Sequence, residues 1–130
     1  MNIVYNKLVR DKIPEIIEAA GKKCTVKVLE EDEYLEMIDA KLDEELKEYH
    51  ADKNIEELAD LLETIYAAAK ARGYSLEELE KVRKEKENKR GAFNKKLKLI
   101  EVIEELIINC NGCGYNMKLL HTFDWHLGMT

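Results

Sequence analysis

Two amphipathic segments separated by a short polar turn constrain the fold of this chain more than any other feature. Residues 32–51 carry apolar side chains at three- and four-residue steps, and residues 55–72 repeat the pattern. Between them stand Asp52, Lys53 and Asn54, residue types that are common in turns. The spacing therefore predicts two long helices that reverse direction and pack as an antiparallel hairpin, and it favours the all-α fold class.

Each of these helices carries two carboxylates at a three-residue step, which keeps both side chains on one helix face. The pairs are Glu45 with Glu48 and Glu57 with Asp60. In an antiparallel hairpin, residues equidistant from the turn face each other, so Glu48 should meet Glu57 and Glu45 should meet Asp60. Four carboxylates this close repel one another unless a cation lies among them. The pattern therefore predicts a metal site, and Glu44 is expected to point away from the helix seam.

Two further helices are expected, one before the hairpin in the sequence and one after it. Residues 5–20 offer Asp11 as a helix cap and Pro14 in the first turn. Residues 75–90 open with the capping-box sequence SLEE. A weak alternation near residues 24–29 indicates a short strand or extended segment. The whole pattern predicts a helical bundle built on the acidic helix pair, with that extended segment as an addition.

The distribution of charge along the chain limits the classes of function that the protein could have. The net charge is −6, which argues against general nucleic-acid binding. Residues 30–63 carry a net charge of −12, whereas residues 1–27 carry +3 and residues 81–98 carry +7. An acidic region flanked by basic ones suits a magnesium-bound polyphosphate. The sequence has no apolar run of membrane-spanning length and no apolar signal region in MNIVYNKLVR, so we expect a cytoplasmic protein without a membrane partner.

The last part of the chain has a different character from about residue 107 onward. It is low in charge and shows no clear period. Its aromatic side chains could stack a base, although such residues more often close a core or an interface. It also contains four residues of the types that bind zinc, at a spacing that is short for a zinc finger, namely Cys110, Cys113, His121 and His126. An ordered dimerisation arm, a frayed tail and a segment foreign to the domain all remain open.

Four segments together carry a resemblance to a known superfamily: YNKLVRDKIPEII, KLDEELKEY, IEELADLLE and KRGAFNKKLKLIEV. They resemble the all-α nucleoside triphosphate pyrophosphohydrolases, which include MazG-like proteins, phosphoribosyl-ATP pyrophosphohydrolases and all-α dUTPases. The opening YNKLVRDKIPE is similar to the phosphoribosyl-ATP pyrophosphohydrolase-like branch. Because the resemblance covers roughly residues 5–104, we divide the chain into a domain at 1–104 and a tail at 105–130. The eight-residue gap between the two acid pairs is shorter than is usual in this group.

The resemblance implies a site and an activity. The superfamily's ExxE and ExxD motifs hold Mg²⁺, with Mn²⁺ as an alternative, and here they match Glu45, Glu48, Glu57 and Asp60. Glu45 is the expected catalytic residue, which would polarise the attacking water. The implied reaction converts a nucleoside triphosphate, NTP or dNTP, to the monophosphate and pyrophosphate, in a homodimer or homotetramer that cleans the nucleotide pool. Five bases are candidates for phosphate contacts: Lys7, Arg10, Lys12, Lys86 and Arg90.

Two alternative functions remain at this point. One is hydrolysis of phosphoribosyl-ATP in histidine biosynthesis, since members of the superfamily differ in the base and sugar they accept. The other is a non-catalytic helical interaction module whose acidic face binds a basic partner. A nucleotide panel with and without magnesium would separate these alternatives.

Overall fold

The computed structural model describes residues 2–104, and that part of the chain is all-α. Its helices are α1 (Ile13–Ala19), α2 (Glu31–Asp52), α3 (Ile55–Ala71) and α4 (Leu76–Arg90). Residues 2–104 contain no β-strand, so the strand considered near residues 24–29 is not formed. The chain divides after Gly91: the four helices belong to the first unit, and the described part of the second, residues 92–104, forms neither helix nor strand. Within the described range, no helix combines the length and apolarity that crossing a membrane requires.

The turn between α2 and α3 is as tight as its sequence predicts. Lys53 adopts a left-handed conformation (φ 53°, ψ 37°), and its amide donates to the carbonyl oxygen of Tyr49 at 2.7 Å. Asn54 then caps α3, because its side-chain oxygen accepts a hydrogen bond from the amide of Glu57 at 2.9 Å. Two residues therefore end one helix and start the next, which fixes the register of the hairpin.

The covered face of α3 is built from acidic and small residues rather than from its apolar stripe. Thr64 is only 7% exposed, and Ala67 and Ala71 on the same face are half-buried. Such short side chains let the α2 and α3 backbones approach closely. On α2, Ile38 is the most deeply buried side chain of the described core, at 2% exposure. Three apolar residues of α3 instead stay 37–47% exposed, namely Leu58, Leu62 and Ile65.

The helix starts confirm two predictions and correct one. Pro14 lies in the first turn of α1, as expected. The N-cap position of α1 is Lys12, which makes no capping hydrogen bond with its side chain, so the assignment of Asp11 as the cap was wrong. At α4 the capping box is complete: the amide of Glu78 donates to Ser75 Oγ at 3.1 Å, and the amide of Ser75 donates to Glu78 Oε1 at 3.0 Å.

Candidate metal centre

The hairpin brings five carboxylates into one region, which we call the acidic cluster: Glu44, Glu45, Glu48, Glu57 and Asp60. Glu44, Glu45 and Glu48 of α2 each place one carboxylate oxygen within 4.8 Å of the others. Glu45, Glu57 and Asp60 form a second group within the same limit, and this group spans α2 and α3. Glu45 belongs to both groups. The four carboxylates that the sequence singled out therefore fall into two groups joined by Glu45, and the structure adds Glu44 to the group that contains Glu48.

Glu45 is the most deeply buried member of the acidic cluster. The residue is 6% exposed, and its Oε2 atom accepts no hydrogen bond from the described part of the chain. Glu57 Oε2 is likewise buried and without a hydrogen-bond partner among residues 2–104. A buried carboxylate oxygen destabilises the fold when it has neither a hydrogen-bond donor nor a cation beside it. These two oxygens therefore have the character of cation ligands.

Lys41 is the internal cation of the acidic cluster. Its Nζ atom lies 3.0 Å from Glu44 Oε2 and 3.2 Å from Glu45 Oε1, and its side chain is 16% exposed. Sequence reasoning missed Lys41, although its position four residues before Glu45 is a known signal for a helical ion pair. The expectation that Glu44 points away was wrong, because its ion pairs with Lys41 and Lys7 hold it beside the other carboxylates.

Two of the predicted substrate-binding bases also reach the acidic cluster. Lys7 Nζ lies 3.5 Å from Glu44 Oε2, and Arg10 Nη2 lies 2.6 Å from Asp60 Oδ1. Both bases come from the segment before α1, and they contact different helices of the hairpin. The N-terminal segment is therefore held at the acidic cluster by charge.

The other predicted bases lie elsewhere. Lys12 occupies the N-cap position of α1, and Lys86 and Arg90 lie on α4, which packs against α3. Neither Lys12 nor Lys86 makes an ion pair within residues 2–104. The four zinc-type residues considered in the tail lie outside the described residues: Cys110, Cys113, His121 and His126.

The electrostatics of the acidic cluster divide its members into two kinds. The charge of Glu45, followed by partial loss of water, raises the pKa of Glu48. Desolvation and then the charge of Glu48 raise the pKa of Glu57. Desolvation opposes ionisation of Glu44, but the hydrogen bond and charge of Lys41 together with those of Lys7 outweigh it and lower the pKa of Glu44. Desolvation and negative neighbours thus outweigh positive charge at Glu48 and Glu57, whereas the paired bases prevail at Glu44.

Comparisons with known proteins add one partial similarity. No family model and no solved structure matches the chain. A stretch of 45 residues is 51% identical to an uncharacterized protein of Mycolicibacterium smegmatis. That stretch covers 35% of this chain and 46% of the relative, so the chain spans about half of the relative's length. Fold and site thus define an all-α protein with an acidic cluster on a helical hairpin.

Proposed function

We propose that this chain is a magnesium-dependent nucleoside triphosphate pyrophosphohydrolase, with Mn²⁺ as an alternative ion. The observation that carries the proposal is Glu45, which is 6% exposed, has a carboxylate oxygen without a hydrogen-bond partner among the described residues, and belongs to both carboxylate groups. Acidic patches on helices are common and usually solvated. A buried and unpartnered oxygen at the centre of such a patch is uncommon, and it supports a bound cation.

The charges and ligand types in the acidic cluster fit a divalent cation. Three of its five carboxylates pair with a total of three bases, namely Lys7, Arg10 and Lys41, so the five ionised carboxylates keep two negative charges in excess. Mg²⁺ prefers oxygen ligands and usually shares carboxylates with substrate phosphates. The group of Glu45, Glu57 and Asp60 offers three such oxygens from two helices. When bound, the ion would neutralise phosphate charge and activate water.

The chain's own residues would divide the remaining tasks. Glu45 would polarise the attacking water, whose oxygen adds to the α-phosphorus of the substrate while its proton passes to a second water molecule. The bond between that phosphorus and the α,β-bridging oxygen breaks, and the nucleoside monophosphate and pyrophosphate leave. Lys7 and Arg10, which lie at the acidic cluster, are the bases best placed to bind the phosphates. Lys12, Lys86 and Arg90 stay candidates for contacts farther from the reacting phosphorus.

A second copy of the chain would cover apolar side chains that the helical hairpin leaves exposed. Four apolar side chains of the helical hairpin are 37–47% exposed, namely Leu46, Leu58, Leu62 and Ile65. Burying such a stripe against an identical one is the usual way in which a small helical hairpin gains a core. We therefore include a homodimer or homotetramer in the proposal, with cleaning of the cytoplasmic nucleotide pool as its role. Light scattering on the purified protein measures the oligomeric state.

The experiment that tests the proposed activity is a nucleotide panel followed by pyrophosphate release. The common NTPs, dNTPs and phosphoribosyl-ATP are each incubated with the protein in excess MgCl₂, and again in EDTA. We expect turnover of at least one NTP or dNTP in magnesium and none in EDTA. Turnover confined to phosphoribosyl-ATP would instead place the protein in histidine biosynthesis. No pyrophosphate from any substrate, together with no effect of Mg²⁺ on the melting temperature, would support the non-catalytic interaction module.

A further inference from the structure

The segment before α1, residues 2–12, is attached to the acidic cluster by two long-range ion pairs; we call it the N-terminal arm. It forms neither helix nor strand. Lys7 pairs with Glu44 on α2, and Arg10 pairs with Asp60 on α3, fifty residues along the chain. The arm therefore bridges both helices of the hairpin at the place where their carboxylates converge.

Arg10 of the arm differs from Lys41 in how readily it can leave its carboxylate partner. The Lys41 side chain is 16% exposed and contacts Glu45, whose side chain is 7% exposed. The Arg10 side chain is 56% exposed, and its partner Asp60 is 41% exposed. Moving Lys41 away would leave a buried carboxylate without a paired positive charge, which costs free energy. Arg10 can turn into solvent without that cost, because both members of its pair are exposed. Lys41 is thus a fixed counter-ion, and Arg10 is an exchangeable one.

Arg10 occupies a carboxylate that the proposed metal centre needs. Asp60 is one of the three carboxylates that converge across the two helices. Magnesium binds carboxylate oxygens at about 2.0–2.1 Å. A guanidinium nitrogen 2.6 Å from Asp60 Oδ1 would then lie close to a divalent cation. Because like charges repel at such distances, the two cations compete for Asp60.

We propose that Arg10 is an exchangeable counter-cation of the metal centre, an inference that rests on the proposed function. Its guanidinium neutralises Asp60 until a divalent cation binds, and it then turns to the substrate polyphosphate. A guanidinium suits this second task because its planar fork matches two phosphate oxygens. Arg10 is therefore a positioning residue that couples entry of the metal to binding of the phosphates.

The matched control is Arg72, the residue that follows α3, which pairs with Asp39 on α2 and lies outside the acidic cluster. Arg72 Nη2 lies 3.0 Å from Asp39 Oδ2, with side chains 50% and 55% exposed. Arg72→Gln therefore removes the same charge and the same kind of exposed pair as Arg10→Gln. Arg10→Lys is the companion variant that keeps the charge at the cluster.

Calorimetric titration with MnCl₂ alone tests the proposal. Arg10→Gln should bind Mn²⁺ about two- to fivefold more tightly than the wild type, the range to which an exposed ion pair corresponds. Arg72→Gln and Arg10→Lys should both bind as the wild type does. Thermal melting gives a second readout, because the rise in melting temperature on adding Mn²⁺ should be larger for Arg10→Gln than for Arg72→Gln.

Two results would overturn the inference, and they can be told apart. If Arg10→Gln binds Mn²⁺ with wild-type or weaker affinity, Arg10 does not compete for Asp60, while the metal centre itself stands. If the wild type and every variant fail to bind Mn²⁺, the proposed function falls together with the exchange.

Discussion

Replacing Lys41 by Met should destabilise the protein far more than replacing an equally charged base on its surface. Lys41 Nζ donates a hydrogen bond to Glu44 Oε2 at 3.0 Å and forms an ion pair with Glu45 Oε1 at 3.2 Å. Methionine keeps most of the length of the side chain but removes the charge. Among the described residues, Lys41 is the base that pairs with Glu45. Its loss would leave the carboxylate of Glu45 buried without a paired positive charge. Burial lowers the pKa of Lys41, but the combined interactions with the carboxylates of Glu44 and Glu45 outweigh that effect and raise it.

The size of the effect follows from the exposure of the partners. Removing one partner of a buried ion pair costs about 3–5 kcal/mol. Because Lys41 keeps 16% of its side-chain exposure, we expect a somewhat smaller loss in the free energy of unfolding, about 2–4 kcal/mol. The pair of Arg72 with Asp39 has side chains 50% and 55% exposed. Arg72→Met should therefore cost only about 0.2–1 kcal/mol.

Urea denaturation followed by far-UV circular dichroism, in EDTA at neutral pH, measures both losses. Added Mg²⁺ should restore part of the stability of Lys41→Met, because a bound cation would compensate Glu45. If Lys41→Met loses no more stability than Arg72→Met, Lys41 does not neutralise a buried charge, and the electrostatic account of the cluster is wrong.

Two further predictions concern the turn and the pH dependence. Asn54→Ala should lower the free energy of unfolding by about 1 kcal/mol in urea, because α3 loses its N-cap. The raised pKa values of Glu48 and Glu57 mean that the folded protein binds their protons more tightly than the unfolded chain. In EDTA, their contribution should therefore raise stability as the pH falls from neutral to about 5, and Glu57→Gln should flatten this rise. The lowered pKa of Glu44 contributes stability that is lost only below its ordinary value of 4.5.

The helical hairpin and its central carboxylates could be predicted from the sequence because both depend on local rules. A three-residue step fixes which side chains share a helix face. The two-residue turn at Lys53 and Asn54 then fixes which residues of the two helices stand opposite each other. Glu45 and Asp60 therefore meet as a consequence of periodicity and turn length alone.

The remaining features depend on contacts that periodicity does not encode. The pair between Arg10 and Asp60 joins residues fifty positions apart, and no repeat in the sequence specifies it. Glu44 lies at the cluster because two bases hold it there, which a helical wheel cannot show. Periodicity marks the apolar stripe of α3 without showing which face α2 covers: Leu62 of that stripe is 47% exposed, and the covered face carries Thr64 instead.

The rate of pyrophosphate release in excess Mg²⁺ tests the central claim most directly when two neighbouring glutamates are compared. Glu57 belongs to the acidic cluster, whereas Glu56 is exposed and lies outside it. If the cluster is the catalytic metal centre, Glu57→Gln should lose about 100-fold or more in rate, and Glu56→Gln should turn over as the wild type does. Equal rates for the two variants, or a wild-type rate that EDTA leaves unchanged, would contradict the account.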